Sequence, residues 1–195
     1  MNHSPLLQQA LKRFDEANSQ DPKKIIWQNQ SYPHELLYSK WLTQWVYKLE
    51  PNPSELLLLA SRCQHLCRWE IPRESYPEGK VGYLQWRKRL YAFHAKKAES
   101  VLKEIGYDNA TIEKVSAILL KKDLKDPDTQ CIEDALCLVF LEYQFREFMK
   151  KTPAEKMPGI LQKTWKKMSE KAHQFALQLP FSKEELTLIE TSLRG

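Results

Sequence analysis

Apolar positions along the chain recur mainly at intervals of three and four residues, which is the spacing of an amphipathic helix. Runs of strictly alternating polarity, which would predict strands, are missing from the sequence, and only five residues are Gly. The sequence therefore predicts an all-α fold. It predicts six helices at about 5–17, 31–50, 52–69, 83–105, 109–122 and 129–150, and then a helix from about 160 to 179 and a short one capped by Ser182 in the C-terminal tail.

One predicted helix is apolar on every side. The run 56–60 reads Leu-Leu-Leu-Leu-Ala and follows a start signal with Asn52 as N-cap, Pro53 at the first helical position and Glu55 at the third. A helix that is apolar all round is buried. It turns polar towards its predicted end at about Trp69, and buried polar groups are costly unless they are paired or bind a ligand. We therefore expect a site at this end, built from Arg62, Gln64, His65 and Arg68.

Three more polar side chains lie on the apolar faces of other predicted helices. His34 opens the second helix, His94 lies on the apolar stripe of the fourth, and Asp134 lies on that of the sixth. Taken singly, each is explained by hydrogen bonds in a packed core or, for Asp134, by an arginine partner. Taken together, these groups predict one shared cavity with His34 at its edge, lined by Arg62, His65, His94 and Asp134.

Composition and charge narrow the classes of partner. The chain has 195 residues and a formal net charge of +5, which suits a phosphate-bearing ligand or RNA but also solvated lysines on helix faces. No stretch approaches the ~18 apolar residues of a membrane span, and no secretory signal is visible. The four cysteines lack the C-x2-C spacing of zinc sites. They predict buried, reduced thiols in a cytoplasmic protein.

Residues 70–82 are predicted to form a loop, because two prolines and two glycines interrupt the helical pattern. Proline limits the freedom of the loop, whereas Gly79 and Gly82 permit positive φ and are candidate hinges. The loop is therefore predicted to cover the cavity, with Arg73 as a cation for an anionic ligand. The alternative is an ordered surface loop in which Arg73 pairs with a neighbouring glutamate.

Two resemblances add to these patterns. The stretch 31–150 resembles the DUF4202 family, through Arg62-x-Gln-His65, Arg68-Trp69-x-Ile-Pro-Arg73, Gly82-Tyr-Leu-x-Trp86-Arg87, Phe93-His94-Ala95 and Glu133-Asp134. The order His34, Gln64-His65 and Asp134 is more loosely similar to the metal ligands of HD-type phosphohydrolases, with Gln64-His65 in place of His-Asp. The second resemblance implies a single domain with an HD-like bundle at about 31–150 and a helical extension at about 153–195.

The HD-like resemblance also implies a function, namely metal-dependent hydrolysis of a nucleotide or another phosphoester. The implied metal ligands are His34, His65 and Asp134, which suit Zn²⁺, Mn²⁺, Fe²⁺ or Ni²⁺, and the implied catalytic residues are His65, Asp134 and His94. The substitution at Gln64-His65 leaves open whether a metal is bound and whether the protein is active. The alternatives are a non-catalytic module for a phosphorylated ligand or RNA, and a helical interaction protein whose polar groups satisfy one another. The predicted substrate-binding residues are Arg62, Gln64, Arg68, Arg73, Trp86, Arg87 and Lys97.

Overall fold

The computed structural model describes residues 3–123 and 125–194, which form ten α-helices and one two-stranded hairpin. The all-α prediction is confirmed. No helix in these two ranges is both long enough and apolar enough to cross a membrane. The elements are α1 Pro5–Ser19, β1 Lys24–Trp27, β2 Gln30–Pro33, α2 His34–Leu49, α3 Glu55–Cys63, α4 Gly79–Ile105, α5 Asn109–Leu119, α6 Pro127–Val139, α7 Phe145–Lys151, α8 Met157–Lys167, α9 Glu170–Ala176 and α10 Lys183–Arg194.

Helix ends follow local capping chemistry. The predicted end of α4 is confirmed, because Gly106 adopts the left-handed conformation (φ 101°) that closes the helix. The predicted cap of the last helix is also confirmed: Glu185 N donates to Ser182 Oγ, and Ser182 N donates to the Glu185 carboxylate. The Asn52 N-cap of α3 was predicted wrongly. The cap is Ser54, whose Oγ accepts a hydrogen bond from Leu57 N at 3.1 Å.

The prediction missed the hairpin at 24–33. Strands β1 and β2 pair antiparallel, with Trp27 opposite Gln30, and the two residues between them, Gln28 and Asn29, both have positive φ. A two-residue turn of this kind matches the twist of the flanking strands. The hairpin places the start of α2 at His34 rather than near residue 31. Each strand has only four residues, which is too short for an alternating pattern to be recognised.

Helix α3 lies at the centre of the fold, packed against α1, α2, α5 and α6. Its apolar run is buried as predicted, with Leu57, Leu58 and Leu59 each at most 2% exposed. The helix ends at Cys63, however, and not near Trp69. The chain then turns through Cys67, whose φ is 54° and whose N–H donates to Asn18 Oδ1 on α1 at 2.9 Å. As a result, residues 64–67 form a turn that leads into a short 3-10 helix at Arg68–Glu70.

The segment 71–78 packs on the beginning of α4. Gly79 has a φ of +82°, as a hinge would allow, but Gly82 lies within the helix. A Cβ on Gly82 would come within 1.9 Å of the Pro77 carbonyl oxygen, so this glycine permits close packing rather than hinge motion. The Trp86 indole also donates a hydrogen bond to the Ile71 carbonyl at 2.9 Å. The segment is thus attached to α4 at two points.

The sixth predicted helix is divided by a π-helical turn at Phe140–Gln144. Such turns accommodate an extra residue within an α-helix and are frequent at functional sites. Here Glu142 accepts a hydrogen bond from the Trp45 indole at 2.7 Å, and Tyr143 stacks on Trp41 at 4.3 Å between ring centroids. The turn therefore fixes α6 and α7 against α2.

Candidate functional site

A cavity of about 250 Å³ opens between α2, α4, α6 and α8, next to the turn that follows α3. His65 and His94 both line this central cavity, and their ring centroids lie 5.9 Å apart, as expected for a shared cavity. Gln64, Arg68, Trp86 and Arg87 line it as well. Further polar and aromatic side chains complete the wall, among them Tyr38, Tyr83, Tyr91, Lys121, Glu133, Phe140, Gln144 and Lys167.

His94 has one nitrogen with a fixed partner and one without. Its side chain is buried, and Nδ1 lies 2.9 Å from the Leu66 carbonyl oxygen. Because a carbonyl only accepts, Nδ1 carries the proton and Nε2 is an unprotonated acceptor. Nε2 is buried without a hydrogen-bond partner in the described part of the chain. Burial, followed by the nearby His65, lowers the pKa of His94 to about 3, so the ring is neutral at pH 7.

Gln64 contributes a second acceptor of this kind. The residue is 3% exposed, and its Oε1 has no partner among the described residues. A buried acceptor without a donor costs about 1–3 kcal/mol. Two such atoms on residues that line one cavity indicate that the wall is built to receive hydrogen-bond donors.

His65 lines the central cavity and also contacts Glu35, which lines a smaller one. Its ring stacks on Tyr38 with centroids 4.3 Å apart. Its Nδ1 lies 3.3 Å from Arg68 Nη1 and 3.4 Å from Glu35 Oε2. Burial, followed by the positive charge of Arg68, lowers the pKa of His65 to about 4. The imidazole is therefore neutral at pH 7 and sits between a cation and a carboxylate.

Three cations of the central cavity have no carboxylate partner. Arg68, Arg87 and Lys167 form no ion pair with any residue that the structure describes, whereas Lys121 pairs with Glu133. Arg68 lies over the indole of Trp86 and Arg87 over two tyrosine rings, so aromatic faces rather than acids hold both guanidinium groups. The cavity therefore has a net positive wall that favours an anion.

A thiolate nucleophile is not available in this cavity. Cys137 lines it, but burial raises the pKa of the thiol to about 12. The described structure contains four free cysteines, Cys63, Cys67, Cys131 and Cys137, in agreement with the prediction of reduced thiols. Covalent catalysis by cysteine would need a lowered pKa instead.

A second, smaller cavity of about 140 Å³ is lined by Asp21, His34, Glu35, Arg68 and Arg73, among others. The candidate ligand atoms of Asp21, His34 and Glu35 all lie within 4.8 Å of one another. Burial alone would raise the pKa of the Glu35 carboxyl, but the adjacent imidazoles of His34 and His65 hold it well below its usual value. This small cavity thus contains a buried, ionised carboxylate beside two imidazoles.

The structure does not bring Asp134 to His34 and His65, so the predicted set of metal ligands is not assembled. Asp134 is 4% exposed and lines neither cavity. It accepts hydrogen bonds from Ser169 N at 2.8 Å, from Ser169 Oγ at 2.5 Å and from Gln130 Nε2 at 2.9 Å. Ser169 is the N-cap of α9. Asp134 therefore attaches α9 to α6.

Three further predicted residues lie away from the central cavity. The guanidinium of Arg62 pairs with Asp15 on α1 at 3.1 Å, and Lys97 pairs with Glu70 at 2.5 Å. Arg73 donates to two backbone carbonyls of its own loop, each at 2.9 Å, rather than to a neighbouring glutamate. Of the two cavities, Arg62 and Lys97 line neither, and Arg73 lines only the smaller one.

Comparison with known proteins identifies the family. The family model described as Domain of unknown function (DUF4202) matches residues 8–189. The chain belongs to the DUF4202 family. No significant match to it was found among curated proteins or among solved structures. The matched range contains all the residues that line the two cavities, so both are features of the DUF4202 domain itself.

The sequence patterns missed several residues that this DUF4202 domain brings to the cavities. Glu35 follows His34 directly in the first turn of α2, and this His-Glu pair was the available signal. Asp21 lies in the polar break after α1 and reaches α2 only through the hairpin. Lys121 lies just after α5, and Lys167 is the last residue of α8, so the two are far apart in the sequence. No local pattern predicts that such residues meet.

Proposed function

We propose that this DUF4202 protein binds a phosphorylated small molecule in the central cavity and hydrolyses its phosphoester with the help of a divalent metal. The supporting observation is the combination of Arg68, Arg87 and Lys167, which have no carboxylate partner among the described residues, with the unprotonated Nε2 of His94 in the same wall. Cations favour a phosphate, and a neutral imidazole nitrogen is a group that can accept a proton from water. The cytoplasmic location suggested by the free thiols belongs to the same proposal.

The shape of the cavity favours a small ligand. Its volume of about 250 Å³ lies just below the ~300–1,000 Å³ typical of small-molecule sites. Arg68 and Arg87 offer planar donors that match the oxygens of a phosphate group. The ring of Tyr83, which is 42% exposed, offers a face on which a base or sugar can pack. A nucleotide or phosphorylated sugar fits these features better than a strand of RNA.

The residues of the wall have separable roles in this proposal. Arg68, Arg87 and Lys167 bind and orient the phosphate, and Gln64 Oε1 accepts a hydrogen bond from the rest of the ligand. His94 Nε2 takes the proton of the attacking water, while the hydrogen bond from Nδ1 to Leu66 O fixes its orientation. The phosphate charge would raise the pKa of His94 towards the range of a useful base. A bound divalent metal would supply a more acidic water and polarise a phosphoryl oxygen.

A second candidate function is binding without hydrolysis. The observation in its favour is the low pKa of His94, about 3 in the ligand-free protein, which makes Nε2 a weak base. In that case the same cations would hold a phosphorylated ligand that the protein senses or sequesters.

Both candidate functions require phosphate binding in the central cavity, and calorimetric titration with inorganic phosphate tests this binding. Arg87→Ala should weaken phosphate binding by about tenfold or more, the equivalent of one lost hydrogen bond to a charged group. The matched control is Arg89→Ala, because Arg89 lies on the same helix but is exposed and lines neither cavity. Equal affinity in the two variants, or no phosphate binding by the wild type, would contradict both candidates.

Phosphate release then separates the candidates. The substrates are a panel of nucleoside mono-, di- and triphosphates and p-nitrophenyl phosphate, tested with Mn²⁺. Release that is lost in His94→Gln, while phosphate binding persists, supports hydrolysis. Binding that depends on Arg87, with no release from any compound of the panel, supports the non-catalytic module.

A further inference from the structure

We propose that Asp21, His34 and Glu35 form a binding site for one divalent transition metal in the small cavity beside His65. This set replaces the predicted one and shares only His34 with it. This inference deepens the proposed function. Only the catalytic role of the metal rests on that function. The evidence for the site itself is independent of phosphate binding.

The fold positions the three residues before any ligand arrives. Asp21 Oδ2 accepts a hydrogen bond from Glu35 N at 2.9 Å, and Oδ1 accepts one from Lys23 N at 2.9 Å. The backbone N–H of His34 donates to the Lys23 carbonyl at 2.9 Å. Asp21 is 1% exposed, so these contacts form in the interior. Together with the hairpin, they hold the end of α1 against the first turn of α2.

Glu35 provides the observation that points to a ligand. The residue is 5% exposed, and one carboxylate oxygen, Oε1, lies 3.1 Å from His34 Nδ1. The other oxygen, Oε2, is buried and has no hydrogen-bond partner among the described residues. His65 Nδ1 lies 3.4 Å away but does not form a hydrogen bond with it. A buried carboxylate oxygen without a donor is costly, and a bound cation would satisfy it.

The donor set indicates the kind of metal. Two carboxylates and one imidazole, with candidate ligand atoms within 4.8 Å of one another, are close enough to share one ion after small adjustments. The imidazole suits Fe²⁺ or Zn²⁺, and the two carboxylates suit Mn²⁺, whereas Mg²⁺ and Ca²⁺ prefer sites made of oxygen alone. Three protein ligands leave open positions, which is the arrangement of catalytic rather than structural metal sites.

The surroundings connect this site to the central cavity. Arg68 and Trp86 line both cavities. A divalent ion would neutralise the two carboxylates and leave the positive charge of Arg68 available for an anionic group that also contacts the metal. The metal would therefore lie at the edge of the proposed phosphate site, as a metal that assists phosphoester hydrolysis requires.

The test uses the full chain, purified without a metal-affinity tag and treated with a chelator, and Mn²⁺ alone as the probe. Calorimetry should give one Mn²⁺ per chain, and the melting temperature should rise with Mn²⁺ concentration. Glu35→Gln and His34→Gln should each weaken Mn²⁺ binding by at least ~10–100-fold. Substitution of residues that only hydrogen-bond to a metal ligand already has an effect of this size. Asp134→Asn is the matched carboxylate-to-amide control and should bind Mn²⁺ like the wild type.

Several outcomes would overturn the site. These are no Mn²⁺ or Zn²⁺ binding by the wild type, full binding by both Glu35→Gln and His34→Gln, or loss of binding in folded Asp134→Asn. Melting curves without metal show whether each variant folds, and His34→Gln changes the more exposed of these two ligands. Phosphate binding measured in chelator reports on the central cavity separately, so the two proposals can fail independently.

Discussion

Asp134 and His94 appear alike in the sequence, and the structure shows how they differ. Both are buried on the apolar faces of their helices, at 4% and 2% exposure, and both were predicted to line one site. Asp134 accepts three hydrogen bonds, so both of its carboxylate oxygens have a partner. His94 has one partner and a second nitrogen with none in the described structure. A buried polar residue therefore indicates a binding site only when its hydrogen bonds are incomplete and it faces a cavity.

The largest effect that this comparison predicts is on stability. Asp134→Ala removes the acceptor of three hydrogen bonds and separates α9 from α6, so the free energy of unfolding should fall by about 3 kcal/mol. Urea denaturation at pH 7 measures this loss. His94→Gln should cost much less, because only one partner is lost. A stable Asp134→Ala protein with impaired phosphate or metal binding would instead indicate that Asp134 takes part in the binding site.

A smaller effect is expected in the pH dependence of stability. The pKa of His94 is lowered from 6.5 to about 3 in the folded protein, so below pH 6.5 the unfolded chain binds the proton more readily. Folding stability is therefore lost as pH falls, by on the order of 2 kcal/mol between pH 7 and pH 5 from this residue alone. His94→Gln should lose part of this dependence in denaturation curves recorded across the range. If the slope of the unfolding free energy against pH is unchanged, His94 is hydrated and its Nε2 already has a hydrogen-bond partner.

The smallest effect concerns Arg73, whose guanidinium resembles Asp134 in having its partners within the protein. Arg73→Ala removes two hydrogen bonds inside a partly exposed loop and should lower the free energy of unfolding by about 1 kcal/mol. Phosphate affinity in the central cavity should change little, as calorimetry can show. A tenfold loss would indicate that the loop closes over the ligand and that Arg73 leaves its carbonyl partners.

The sequence was informative where the determining contacts are local. Helical spacing placed His94 on the packing face of α4, and Gly106 and Ser182 marked helix ends, because the interacting groups lie within a few residues of each other. The turn after the early end of α3 includes a hydrogen bond between Cys67 and Asn18, 49 residues apart. Local patterns contain no information about such a contact.

The same difference between local contacts and contacts distant in the sequence applies to the candidate site. The approach of His65 to His94 was predicted because both lie next to predicted core positions. The displacement of Asp134 was not, since its partner Ser169 lies 35 residues further along the chain. The proximity of Asp21 to Glu35 was also missed, because it requires the reversal of the chain in the short hairpin.

The π-helical turn contacts both the central cavity and the hairpin that precedes the small one. Phe140 and Gln144, at its two ends, line the central cavity, while Tyr143 between them faces the opposite way. Tyr143 stacks on Trp41 and meets Trp27 of the hairpin edge-on, with centroids 5.3 Å apart. The same hairpin holds the end of α1 near the start of α2. The aromatic contacts of Tyr143 therefore join one wall of the central cavity to the hairpin that leads into His34 and Glu35 of the small cavity.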